Sequence, residues 1–488
     1  MNPMICIDFG NTYTKVAIRR DADAKSELVS DQSLTNDDDN ICVPTVASRH
    51  RQRGREDWKY GNDVVQLRGG SKELEVFRNW KPHFFESTQT PLSVKQPVPV
   101  LAGGGHASSM SDEQWNTVRT TLGLPDSARS AFEKTLSQQS ADGEFEQTLE
   151  SQVEITDMEY KNMAVGYFRW LREFVRPVCI KRALPPIEEI PTRITLPSFG
   201  SITKASLLLE EILEEAGWRL DKRAPHLVEP LANAIGILTD GANKTHWPQG
   251  AGKAMPHYGE MFNKSGLVEL MRAASLQNGR DVSWVMIADL GGYTLDFAML
   301  GIDLKDIDAQ LDGEVDGMKR LATYSEAMGV TDLDRRVEKL LDAKKRAVFH
   351  RIQTEPNQRL MEMVHRKLYG ELLGLKMGGV TIGEGLEEGS RLRRCIEQFA
   401  DEVADCAQRF IEIHQYRHID DLILTGGGML IPLVRKAVCK RLVKSYSVAK
   451  QHLFATGERI PGVNSLNHKQ VRGSTGVGGS SVYFDFAD

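Results

Sequence analysis

Met4-Ile5-Cys6-Ile7-Asp8-Phe9-Gly10-Asn11-Thr12-Tyr13-Thr14-Lys15-Val16-Ala17-Ile18 sets two apolar runs on either side of a short polar turn, the pattern of strand, glycine-containing turn, strand. The pattern returns as Met286-Ile287-Ala288-Asp289-Leu290-Gly291-Gly292-Tyr293-Thr294-Leu295-Asp296-Phe297-Ala298-Met299. The two stretches align without gaps, Asp8 with Asp289, Gly10 with Gly291 and Ala17 with Ala298, each 281 positions apart. A hairpin repeated at this distance predicts two lobes of related fold.

Between the hairpins, Arg193-Ile194-Thr195-Leu196-Pro197 reads as a strand. Ile202 to Ala216 reads as a helix, with Ile202, Ala205, Leu208, Leu209, Ile212 and Leu213 at helical spacing. A second helix lies within Pro225 to Leu238, opened by Glu229-Pro230, where proline suits a first helical position. Beyond the second hairpin, charged helical segments are expected over Asp332 to Tyr369 and Leu392 to His414. Leu422-Ile423-Leu424-Thr425-Gly426-Gly427-Gly428 is an apolar strand that breaks into a triple-glycine turn before a helix at Leu433 to Leu442. Alternating strands and helices give an α/β class. Residues 93–150, rich in Gly, Ser, Gln and Thr, and 239–283, with one short apolar helix at Leu267 to Ala274, read as insertions on the surface.

The chain has 488 residues, enough for roughly three domains at about 150 each. A composition 41% hydrophobic and 26% charged is that of an ordinary globular protein. The net charge of -6 argues against a general nucleic-acid-binding surface. No apolar run reaches the ~18 residues of a membrane span, and a cytoplasmic location is expected. Six cysteines without a CxxC pair are expected to be reduced thiols rather than a disulfide framework or zinc site. His414 and His418 share i, i+4 spacing on an expected helix and read as a solvated face. Asp37-Asp38-Asp39 reads as a solvated loop, and Arg49, Arg51, Arg53 and Arg55 as an exposed hairpin loop. Walker A, HExxH and GxSxG motifs are absent.

A strand that ends in Asp and runs into Gly and small hydroxylated residues lets backbone N–H groups approach a phosphate closely. Two such turns facing each other would clamp a polyphosphate. Asp8 and Asp289 would then lie close together, an arrangement that calls for a cation, most simply Mg²⁺ held partly through water.

These segments resemble the phosphate-1, phosphate-2 and adenosine motifs of the actin, sugar-kinase and heat-shock ATPase superfamily, and within it the nucleotide-binding domain of the DnaK-type seventy-kilodalton chaperones. Further segments resemble that family in the same order: Val43-Pro44-Thr45-Val46, Tyr60-Gly61-Asn62-Asp63-Val64-Val65, Val76-Phe77, Ile155 through Arg172, Pro197-Ser198-Phe199, Glu229 to Ala234, and Met328-Gly329-Val330-Thr331-Asp332-Leu333-Asp334. The resemblance implies a two-lobed actin-like ATPase fold of duplicated ribonuclease-H-like domains with helical insertions. Lobe I would span residues 1–237 and lobe II 238–462, with 463–488 returning to lobe I. ATP/ADP and Mg²⁺ are the implied cofactors, and the implied activity is slow hydrolysis that switches the conformation read by a partner protein, without membrane or nucleic-acid binding.

Carried over residue by residue, Gly10, Asn11, Thr12 and Tyr13 would cradle phosphates, opposed by Gly291, Gly292, Tyr293 and Thr294, with Gly426, Gly427 and Gly428 at the nucleoside. Asp8 and Asp289 would lie in the outer shell of the metal, while Glu229 and Asp296 would support the metal and the attacking water. Lys81 is the candidate for the lysine on the transferred phosphate, one position off the family spacing, with Arg78 as competitor. The chain departs from the pattern in three respects. Tyr293 stands where the family has a third glycine, Leu430 replaces an adenine-stacking arginine and leaves base preference open, and only 60 residues follow Gly428, without a peptide-binding domain. An actin-like filament-forming ATPase, a small-molecule kinase and a nucleotide-sensing scaffold with little turnover are the rival expectations; pelleting with ATP, dependence on an acceptor, and binding without phosphate release distinguish them.

Overall fold

The computed structural model describes residues 3–21, 26–29, 41–52, 55–65, 74–85, 93–95, 150–152, 157–199, 203–240, 282–303, 318–354, 359–377, 379–383, 386–416, 418–445, 447–454 and 468–480. Most of the two expected insertions, the helix at 267–274, Asp37–Asp39 and Arg53 lie outside the described residues.

The chain is mixed α/β. Strand β1 (Met4–Phe9) is buried along its whole length and pairs antiparallel with β2 (Tyr13–Arg19), which carries β3 (Ser26–Leu28) and β4 (Val43–Pro44) on its other side. A continuous apolar run is what a strand covered on both faces requires. A separate small sheet takes β5 (Ala47–Gln52), β6 (Arg55–Tyr60), β7 (Leu74–Phe77), β8 (Ser93–Lys95) and β9 (Glu150–Gln152), with the short helix α1 (Asn62–Val65) after β6. Helix α2 (Asp157–Lys181) leads to β10 (Pro191–Leu196), parallel to β1; α3 (Thr203–Glu215) then leads to β11 (Arg219–Leu220) and β12 (His226–Val228), both parallel to β10. Helix α4 (Glu229–Asp240) follows directly.

The second large sheet repeats this plan. Strands β13 (Val282–Leu290) and β14 (Leu295–Asp303) form the second hairpin, and β15 (Met318–Glu326) adds antiparallel to β14. Helices α5 (Val330–Leu340), α6 (Ala343–Thr354) and α7 (Arg359–Val364), the hairpin β16 (Leu375–Met377) and β17 (Val380–Ile382), and α8 (Arg391–Ile413) come next. Strand β18 (His418–Thr425) then lies parallel to β13, followed by α9 (Pro432–Ser445), β19 (Ser447–Phe454) parallel to β18, and α10 (His468–Gly479). The order β3-β2-β1-β10-β11 of the first sheet is thus matched, strand direction by strand direction, by β15-β14-β13-β18-β19 of the second. Each sheet has its own apolar core, one around Ile5, Phe9, Trp80 and Tyr167, the other around Phe297, Phe399, Phe410 and Leu422.

Three expectations are corrected. The charged segment Asp332–Tyr369 is not one helix: α5 ends at Leu340, α6 begins at Ala343, and a π-helical turn runs from His365 to Gly370. His414 and His418 do not share a helix, because α8 ends at Ile413, Gln415 turns the chain with φ 56°, and His418 opens β18. Arg49 is no exposed loop residue; it is 1% exposed on β5, where its Nε donates to Glu75 at 2.5 Å and its guanidinium lies 5.3 Å from the Trp58 ring. The hairpin itself forms, since β5 pairs with β6 from Ala47–Tyr60 to Gln52–Arg55.

Helix α10 packs against α4, β1 and β2. Small residues permit this close approach: a Cβ at Gly478 would lie 1.9 Å from the Ala232 carbonyl oxygen, and one at Gly236 would lie 1.8 Å from that of Ser474. Gly478→Val should therefore force the helices apart and lower stability by about 3 kcal/mol, read as a drop in the urea midpoint.

Candidate functional site

Both hairpins place an aspartate at the end of the first strand. In the first, Asp8 pairs across the ladder with Lys15; in the second, Asp289 pairs with Asp296. With an offset of 281 positions, Lys15 corresponds to Asp296, the one charge reversal between the two stretches. The repeat therefore supplies an ammonium on one side and a carboxylate on the other.

The two turns meet. A Cβ built on Gly292 would lie 2.9 Å from Thr12 Oγ1, which places the tip of the second turn against the first. The first turn is closed by Gly10 N–H donating to Asp8 O at 3.1 Å and is held from outside by Thr45, whose N–H donates to Thr12 O at 3.0 Å and whose hydroxyl donates to Gly10 O at 2.8 Å. In the second, Gly291 N–H donates to Thr294 O at 2.8 Å, while the first turn of α5 holds it through Val330 N–H to Gly291 O at 3.1 Å and Thr331 N–H to Gly292 O at 3.0 Å. Gly426, after β18, has φ 86°, and a Cβ there would lie 2.0 Å from Asp289 Oδ1, so this position admits only glycine. Gly428 packs on Leu290, whereas Gly427 is exposed with no atom within 4 Å of a Cβ built on it.

Acidic and basic side chains converge between the turns. Lys15 Nζ donates to Asp8 Oδ2 at 2.8 Å, and Lys81 Nζ donates to Glu229 Oε1. Lys81 is 2% exposed and lies 5.8 Å from the Phe9 ring centroid, a cation–π distance that helps hold a buried ammonium. Asp289 accepts from Asn233 Nδ2, and Asn233 Oδ1 in turn accepts from Ser474 Oγ at 2.6 Å, so α10 and α4 together orient this carboxylate. Asp296 accepts from Thr294 Oγ1 at 2.7 Å and from Ser325 Oγ.

Burial is the largest force on these carboxyl groups. It pushes Glu229 up to about 7, with Asp296 and Asp8 raising it further and Lys81 opposing. Asp289 is likewise pushed up to about 7 by burial, with Lys15 opposing and Asp8 and Glu229 adding to the rise. Asp296 reaches about 7 through burial and the charge of Asp289, against the hydrogen bonds from Ser325 and Thr294. Burial disfavours the charged form of Lys15, but Asp8 outweighs it and holds the ammonium above its ordinary pKa. Four carboxylates, Asp8, Glu229, Asp289 and Asp296, thus face two ammoniums, Lys15 and Lys81, which leaves two surplus negative charges when all are ionised.

That surplus matches one divalent cation. Among the described residues no group of three or more His, Cys, Asp or Glu side chains could hold a metal directly. Asn11 is buried, donates to Asn79 Oδ1 at 3.1 Å and leaves its own Oδ1 without a partner, an acceptor available to a bound water or ligand.

Of the two candidates for the phosphate-contacting cation, Lys81 reaches Glu229, whereas Arg78 Nη1 donates to the Gln353 carbonyl at 3.4 Å. Tyr293 packs edge-on against Phe199 at 6.2 Å. Lys15 and Asn233 were not among the expected site residues. The signal for Lys15 was its place opposite Asp296 in the aligned repeat; for Asn233 it was its position four residues, one helical turn, after Glu229.

No helix among the described residues is long and apolar enough to cross a membrane. No protein-family model matches the chain, and no curated protein matches it significantly.

Proposed function

We propose that the chain is a Mg²⁺-dependent ATP-binding protein that hydrolyses ATP slowly and acts as a chaperone-like conformational switch for a partner protein, with the two-lobed actin-like fold of the DnaK-type ATPase domain. The observation that carries this reading is the pair of matched hairpin turns in contact at Gly292 and Thr12, with four carboxylates and two lysines gathered at their base. The matching strand orders of the two sheets support the duplicated fold. Helices α4 and α10, which link the Asp289 carboxylate to the first sheet, suit connecting helices between lobes.

In this mechanism the N–H groups of the two turns hold the phosphates, because glycine-rich turns present backbone donors without side-chain obstruction. Mg²⁺, when bound, would neutralise phosphate charge, with Asp8 and Asp289 holding its waters. Glu229 orients the attacking water and accepts its proton at the carboxylate; a pKa of about 7 suits a base working near neutrality. Lys81 sits beside Glu229, where its ammonium stabilises charge on the transferred phosphoryl group. Water adds to the γ-phosphorus, the bond to the bridging oxygen breaks, and ADP and phosphate leave. Closing and reopening of the cleft supplies the signal.

Gly427 provides a test that spares the scaffold. A Cβ there meets no atom within 4 Å, so a side chain is tolerated by the fold and would crowd a nucleoside only if one is bound at this turn. Gly427→Val is expected to keep stability within about 1 kcal/mol while weakening ATP binding at least ~100-fold, measured by thermal melting and calorimetric titration. Unchanged affinity would reject the placement of the nucleoside at this turn.

A further inference from the structure

Resting on the nucleotide reading above, we propose that Tyr293, Phe199 and Phe85 form an aromatic bridge across the cleft, which keeps the Gly291–Thr294 turn in register with Lys81 and Glu229 and makes Tyr293 and Phe199 positioning residues for hydrolysis. Three adjoining contacts carry the argument. The ring of Tyr293, in the second turn, packs edge-on against Phe199 at 6.2 Å, and Phe199 packs edge-on against Phe85 at 5.4 Å. Phe85 caps the 3-10 turn Lys81–Phe84 and is fixed to it by its N–H donating to Pro82 O at 2.9 Å. The chain of rings therefore begins in the second hairpin turn and ends on the turn that carries Lys81.

The segment holding Phe199 is anchored on β15 of the second sheet at an independent point. Ser198 N–H donates to Ser325 Oγ at 2.6 Å, and Ser198 Oγ lies 3.0 Å from Thr323 Oγ1. Ser325 is the same residue whose hydroxyl donates to Asp296. Two consecutive residues after β10 thus touch the second sheet and its hairpin turn, Phe199 through its ring at Tyr293 and Ser198 through its N–H and hydroxyl at Ser325 and Thr323. The arrangement is also asymmetric in the repeat: Tyr293 corresponds to Thr12 and Thr294 to Tyr13, so the ring comes one position earlier in the second turn than in the first.

Edge-to-face ring pairs have a preferred geometry and contribute beyond simple burial, so they hold an angle as well as a distance. Removing a ring that merely filled space would lower overall stability and leave the balance between binding and turnover alone. A positioning bridge acts on turnover, because a small misplacement of reacting groups slows chemistry without removing the contacts that bind phosphate.

The test uses the full chain as wild type, Phe199→Ala, Tyr293→Ala, Tyr293→Phe and the Phe199→Ala/Tyr293→Ala pair. Amide hydrogen exchange on the ligand-free proteins should speed up in peptides covering both 81–85 and 289–296 in each Ala variant and stay at the wild-type rate in Tyr293→Phe. Single-turnover ATP hydrolysis should fall roughly tenfold in each Ala variant, with ATP affinity held within about threefold in Phe199→Ala, and the pair should be no slower than the worse single variant. Wild-type exchange in both peptides, or a loss spread evenly over both cores, would overturn the bridge. Parallel losses of affinity and rate in Phe199→Ala would also overturn it. A wild-type chain that fails to bind ATP would overturn the nucleotide reading instead, and the exchange result would still decide the bridge.

Discussion

Asp289→Asn is expected to raise the stability of the ligand-free protein at pH 8 and to abolish its Mg²⁺-dependent nucleotide binding. The two effects have one origin. Folding moves the Asp289 carboxyl from its ordinary 3.8 to about 7, chiefly by burial, so between these values the folded state holds a proton that the unfolded state has released. Stability from this group is complete below the unfolded pKa and is lost as pH rises through the folded one, a difference of about 4 kcal/mol by pH 8. An amide has no charge to bury, and its oxygen still accepts from Asn233, so the variant should escape that loss. Melting curves should show wild type and Asp289→Asn equally stable near pH 3.5, with a gap that opens to several degrees at pH 8. Glu229 and Asp296, also at about 7, give the wild type the same downward slope. At the proposed Mg²⁺ site, however, the variant would lack one of the two carboxylates assigned to hold the ion's waters. Asp289→Asn with wild-type melting at pH 8 would contradict the buried-charge account, whatever its effect on nucleotide.

Lys81→Met is the second variant with a large expected effect. Lys81 and Glu229 are 2% and 8% exposed and bonded to each other, so removing the ammonium leaves a buried carboxylate without its counter-charge. Breaking such a pair from one side costs about 3–5 kcal/mol when the survivor stays ionised. Glu229 has a way out, because its carboxyl is already at about 7 and loses the one cation that opposes that rise. The loss should therefore be large at pH 8 and shrink below pH 6, where Glu229 protonates. Adding Glu229→Gln should restore most of the stability at pH 8, since both charges are then gone. Turnover should not return: under the proposed mechanism each single variant is expected to lose about 100-fold or more, Lys81→Met through charge stabilisation and Glu229→Gln through water activation, and the pair loses both. Urea unfolding at the two pH values and phosphate release on the same samples separate the structural role from the chemical one.

What could be read from the chain was what is local. The hairpins around Asp8 and Asp289 announce themselves by two apolar strands and a glycine turn, and their alignment foretold a second sheet built on the same plan. Helix α8 was legible from Leu392, Ile396, Phe399, Val403, Ala407 and Phe410, all buried at helical spacing. The paired structure of the site was less accessible. Lys81 and Glu229 are 148 positions apart, and nothing in either neighbourhood specifies that they meet. Asn233 reads as one polar residue on an apolar helix until the second sheet brings Asp289 to it. Arg49 looked like a member of a basic loop because Arg51, Arg53 and Arg55 surround it. The fold buries Arg49 on β5, where its Nε donates to Glu75 and its guanidinium lies against the Trp58 ring. The two histidines at 414 and 418 failed for the opposite reason: their spacing fits a helix, but Gln415 turns the chain between them.

The central claim is that two matched turns and a surplus of buried carboxylate make a site for Mg-ATP. Calorimetric titration of the purified protein with ATP, with and without Mg²⁺, together with phosphate release in the same cell, addresses it most directly. Binding that requires Mg²⁺, followed by slow release that disappears in Asp289→Asn, is the expected result. A folded protein that takes up no ATP under either condition would contradict the claim.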